Sequence, residues 1–138
     1  ERFPQHMQGC TSRHGYDPAK SDALGPHQLG ANERDWDECV YDGVRRYLAV
    51  NSPVPDAYMA LIETHKALTA KVEAGQITRA QRSAEVQSVF ESIRRDEEAL
   101  LDKQAAKSRA QADQASQRDI ERIRRDVDQT RRTLINSM

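Results

Sequence analysis

Two cysteines, four histidines and two runs of carboxylates are the residues with which this chain could do chemistry. Cys39 would act as a nucleophile only beside a base. It directly precedes Val40 on a stripe that reads as buried, so an inert or disulfide-bonded sulfur is expected. His6, His14, His27 and His65 are scattered, whereas a metal site needs converging ligands, such as two histidines one helical turn apart. No metal or cofactor is therefore expected. His65 falls on the apolar face of a helix and is expected to be a hydrogen-bonded core histidine. The runs Asp35, Asp37, Glu38 and Asp96, Glu97, Glu98 sit on helices, where adjacent residues point in different directions. Both runs read as solvated faces. The six glycines form no phosphate-cradling loop. No catalytic residue is expected, and the chain reads as a non-enzyme.

Arginine chemistry is concentrated near the end of the chain. Arg118, Arg122, Arg125 and Arg132 lie near one stripe and could meet phosphates or anionic lipid. Asp119, Glu121, Asp126 and Asp128 are interleaved with them and nearly neutralise the stripe, so pairs three and four residues apart are the expected use. The formal net charge is -1. A nucleic-acid-binding chain usually carries a basic excess, and nucleic acid is not the expected partner. A cytosolic coiled-coil adaptor, or a nucleic-acid-associated protein using residues 118–132, is the alternative reading.

Cys10 admits three readings. It could pair with Cys39, closing a loop of about 30 residues for roughly 3 kcal/mol or slightly more. It could also be a lipid attachment point, because Met7-Gln8-Gly9-Cys10 resembles the tail of a bacterial lipobox. In those envelope lipoprotein precursors the Cys becomes the lipidated first residue of the mature protein. The resemblance spans four residues, lacks the preceding apolar run, and has Met7 where Leu is usual; it implies a membrane tether through Cys10. The third reading is two unpaired thiols. The first two both place the chain in an oxidising envelope compartment, periplasm or outer membrane, rather than the cytoplasm. The opening Glu1-Arg2-Phe3-Pro4-Gln5-His6-Met7 has no Met at position 1, and His6-Met7 is what a common cloning junction encodes. Residues before Met7 are expected to be vector-derived.

The elements that must carry these residues are helices. Apolar residues make up 37% of the chain, charged residues 31% and aromatic residues 5%, which is poor for a compact globule. The later part is nearly free of Gly and Pro and rich in good helix formers. Residues 8–31 contain Gly9, Gly15, Pro18, Gly25, Pro26 and Gly30 and read as a loop or arm; within 1–31 it is expected to tether the helical body at 32–101 to a membrane if Cys10 is lipidated, and to fold back on the first helix if Cys10 is disulfide-bonded. Helix one is expected over 32–50, with Asn32 as N-cap, Glu33 and Asp35 in the dipole-favoured first turn, and Trp36, Val40, Val44, Tyr47 and Leu48 facing inward. Helix two is expected over 54–74, burying Tyr58, Leu61, Ile62, His65, Leu68 and Val72, and stopped by Gly75. Thr78 and Gln81 form a capping-box pattern that starts helix three at about 79. This Gly-x-Ile-Thr junction is similar to the turns of small bacterial helical hairpins, a likeness that carries no activity.

Helix three reads as unbroken to the end of the chain, roughly 85–90 Å if continuous. Val86, Val89, Phe90, Ile93, Leu100 and Leu101 are expected to pack on the first two helices. Residues 102–119 hold nothing apolar larger than Ala. Ile120, Ile123, Val127, Thr130 and Leu134 then recur at alternating spacings of three and four, a seam of about two heptads. Such a stripe must bury itself against something. The expected partner is another copy or another protein's helix, with Ala105, Ala112 and Ala115 extending the contact. The expected fold is all-α: three antiparallel helices with a long, coiled-coil-like C-terminal extension.

Overall fold

A computed structural model describes residues 2–137, and the chain is all-α. It falls into two units, Glu1–Glu98 and Ala99–Met138. Helix α1 spans Phe3–His14, α2 Glu33–Gly43, α3 Pro55–Glu73 and α4 Arg79–Ser137. A short 3₁₀ segment occupies Pro18–Ala23, and α2 runs on through a π-helical stretch at Val44–Ala49. The 59-residue α4 is the long C-terminal helix expected from the lack of breakers.

Segment 8–31 is folded back on α2, as expected for a disulfide-bonded Cys10, but it is not loop throughout. Its first part belongs to α1, which has Pro4 in its first turn and ends at Gly15 in the left-handed conformation, φ 66°. Residues read as vector-derived take part in this helix: His6 is buried, and Phe3 packs against the core. Gly43 permits that docking, since a Cβ there would lie 2.4 Å from Cδ2 of His6. The rest of the presumed arm is tied down as well. Arg79 donates from its backbone to Pro26 O at 2.8 Å and from its side chain to Gln28 O at 2.9 Å. The His27 ring bonds Ile77 O at 2.8 Å.

Of the expected stripe, Val44 is buried and Val40 and Leu48 pack against the core, while Trp36 and Tyr47 are half-buried; the residues α2 itself buries are Glu33, Asp37, Tyr41 and Gly43. Asn32 takes the expected N-cap position, its carbonyl accepting from Trp36 N at 2.9 Å, but at φ 63° its side chain makes no capping bond. On α3 the expected face is the buried one, with Tyr58, Leu61, Ile62, Leu68 and Val72 inside and His65 half-buried.

The α3–α4 junction forms as its residue types dictate. Gly75 is left-handed at φ 75°, and the Gly75 and Gln76 amides close on Val72 O and Lys71 O at 3.1 and 2.9 Å. Thr78 and Gln81 bond reciprocally, Gln81 N to Thr78 Oγ1 at 3.1 Å and Thr78 N to Gln81 Oε1 at 2.8 Å. From α4 the core takes Ile93, with Val86, Val89 and Phe90 packed against it. Leu100 and Leu101 do not join it; both are exposed, beyond the first unit's end at Glu98.

Candidate functional site

Four places gather side chains with functional potential. The first is the docking of α1. Cys10 and Cys39 form a disulfide with Cα atoms 5.7 Å apart, one of the readings left open by the sequence. A sulfur in this bond cannot also carry a lipid thioether, so the tether through Cys10 and the disulfide exclude each other. Cys10 is fully buried. Around the bond, His6 Nε2 lies 2.7 Å from Cys39 O, Arg13 Nη2 lies 3.1 Å from Cys39 Sγ, and Trp36 donates to Thr11 Oγ1 at 3.2 Å. His6, Cys10 and Cys39 present ligand atoms within 4.8 Å of one another. Oxidation occupies both sulfurs and leaves only the imidazole, so the bonded form is a staple and not a metal centre.

The second place was not foreseen. Glu33, 1% exposed, accepts from Arg79 Nη1 at 2.7 Å and the Gly30 amide at 3.0 Å on one oxygen, and from Arg82 Nη2 at 3.0 Å on the other. Arg79 also donates to Tyr16 OH at 2.9 Å, and Arg82 to Thr69 Oγ1 at 3.0 Å. Burial by itself would raise the Glu33 carboxyl. The Gly30 amide and the two guanidinium groups outweigh it and hold the group below its ordinary value. This cluster joins α2, α3, α4 and the preceding loop, and both terminal nitrogens of Arg79 and of Arg82 donate to protein acceptors. It is built for cohesion.

The third place is a largely apolar cavity of about 230 Å³, whose walls include Leu61, Ile62 and Phe90 and whose polar lining is Asp37, Tyr41 and His65. Asp37 was read as part of a solvated run but is 5% exposed. Burial, reinforced by the charge of Glu33, pushes its carboxyl up to about 7. Burial likewise pushes His65 down to about 4, with Arg82 adding to the effect. The Tyr41 hydroxyl meets Nδ1 of His65 at 2.5 Å, and burial raises that phenol further above its usual value. His65 is therefore hydrogen-bonded, as the sequence suggested, but half-buried at the edge of the core. Glu97, from the other carboxylate run, is also engaged: it accepts from Ser52 Oγ at 2.8 Å and Tyr58 OH at 2.6 Å.

The fourth place is the second unit, a single helix with every described residue from 99 onward exposed. Ile120, Ile123, Val127 and Leu134 are 43%, 58%, 43% and 61% exposed, and Thr130 shares their stripe with its hydroxyl turned back to Asp126 O at 2.8 Å. Arg118, Arg122, Arg125 and Arg132 are exposed too, and Arg122 pairs with Asp119 at 3.2 Å. Among the described residues, no helix is long and apolar enough to cross a membrane.

No protein-family model matches the chain, and no curated protein or solved structure is detectably similar to it.

Proposed function

We propose that this chain is a non-enzymatic scaffold of an oxidising, envelope-type compartment, in which a disulfide-stapled helical body carries a long helix that associates with a second copy. The observation that carries this reading is the exposed seam Ile120, Ile123, Val127, Thr130 and Leu134. Branched aliphatic side chains repeated in one stripe lose several kcal/mol of burial in water, and a heptad stripe is complementary to itself through knobs-into-holes packing. A second copy is the partner guaranteed to present that stripe. The Cys10–Cys39 bond supports the compartment, since glutathione and thioredoxin keep such pairs reduced in a mesophile cytosol. The commitment of Glu33, Arg79 and Arg82 to one another supports a structural use of the buried charges.

Two copies bearing different affinity tags, produced together in oxidised form, test this reading. One should retain the other, and Ile123→Asp with Val127→Asp should abolish retention while the body stays folded. Retention that survives both substitutions would place the contact elsewhere.

A further inference from the structure

The self-association just proposed leaves its direction open, and the charged residues flanking the seam decide it. With Ile120, Val127 and Leu134 in the a positions and Ile123 and Thr130 in the d positions, the charged g positions are Asp119 and Asp126, Thr133 being the third g residue, and the e positions are Arg124 and Arg131. All four charged residues are exposed. From this pattern we infer that the second copy lies parallel and in register, with Asp119 of each copy facing Arg124 of the other and Asp126 facing Arg131.

The inference rests on which flanking positions meet. In a parallel pair, a g residue faces the e residue five positions further along the partner, and e and g charges set partner choice and orientation. The two charged contacts of this kind, Asp119 with Arg124 and Asp126 with Arg131, each join an acid to an arginine. Turned antiparallel, g faces g and e faces e: with Ile120 opposite Thr130, Asp126 meets Asp126 and Arg124 meets Arg124, while Asp119 meets the uncharged Thr133 and loses its arginine partner. Like charges brought together at an interface suppress the wrong arrangement. The same register bounds the contact. One heptad upstream the seam positions become Asp113 and Ser116, while Ala112 and Ala115 fall at g and c. The alanines therefore do not extend the seam, and the facing Asp113 residues close it. Arg118, Arg122, Arg125 and Arg132 fall at f and c, on the outer surface of the pair.

The test uses the full oxidised chain and two charge variants. Arg124→Glu with Arg131→Glu makes all four charged flanking positions acidic; Asp119→Lys with Asp126→Lys makes them basic. Each variant alone should self-associate at least tenfold more weakly than the unsubstituted chain, and an equimolar mixture should recover the association. A Ser137→Cys chain supplies the orientation directly. In a parallel pair the two new sulfurs meet and form an interchain disulfide; in an antiparallel pair they stand roughly 25 Å or more apart. Ready crosslinking together with rescue on mixing supports the inference. Variants that associate as strongly as the unsubstituted chain, or association without crosslinking, overturn the parallel register but leave self-association standing. A chain that stays monomeric without substitution overturns both.

Discussion

Asp37 and His65 line the same apolar cavity, and burial drives both toward their neutral forms, Asp37 up to about 7 and His65 down to about 4. Between roughly pH 4 and pH 7 the unfolded chain ionises the acid and protonates the imidazole, from ordinary values of 3.8 and 6.5. The folded chain does neither. Each state then holds one proton on the pair, on opposite residues, and linkage makes their combined contribution to the pH dependence of stability nearly flat. Asp37→Asn should expose the histidine contribution alone: stability lost as pH falls from about 6.5 toward 4, on the order of 2–3 kcal/mol. His65→Gln should expose the opposite slope, with stability lost as pH rises from about 4 to 7 by a similar amount. Urea titrations of the three proteins at pH 4.5 and 7.5 check the crossing. Parallel pH profiles for both variants would show that the groups are not buried as described.

Glu33 holds two guanidinium groups in a place almost closed to water. Glu33→Ala leaves Arg82 buried without its acid, and a buried pair broken on one side typically costs about 3–5 kcal/mol. Replacing Glu33 and Arg82 together by Leu should cost less than Glu33→Ala, because no uncompensated charge remains apart from the partly exposed Arg79. Chemical denaturation of the single and double variants gives the comparison directly.

How much of this was legible in the sequence depends on how local each signal is. Gly75, Thr78 and Gln81 act on neighbours within a turn, and the α3–α4 junction forms as their types require. The α3 face was legible because its apolar residues repeat at helical spacing. Glu33 was readable only as a first-turn acid, since Arg79 and Arg82 lie 46 and 49 residues further on. A signal for its burial did exist: Glu33, Asp37 and Tyr41 are spaced by four, so a face buried at Tyr41 carries both acids inward. Helix α1 was hidden for another reason. Few of its residues are apolar, and it is held by Cys10, His6 against Gly43, and Thr11 beneath Trp36, all long-range contacts. Glycines at 9 and 15 then looked like loop, although Gly15 is the residue that ends the helix.

Removing the staple should loosen that same element first. With its cysteines 29 positions apart in sequence, the bond contributes about 3–4 kcal/mol in the chain-entropy picture. Cys10→Ser with Cys39→Ser should lower stability by about that amount. It should also raise amide exchange over Phe3–His14 more than over α3, since weakly held elements open locally before the whole fold does. Equal loss of protection in both helices would mean that α1 is not a separate, bond-dependent unit.

The self-association of the C-terminal helix is the claim on which the scaffold reading depends, and sedimentation equilibrium of the full oxidised chain tests it most directly. The mass should climb with concentration from that of one 15.7 kDa chain toward a multiple of it, and Val127→Asp should return it to one chain at every concentration. A single-chain mass across the whole range for the unsubstituted protein would contradict the account.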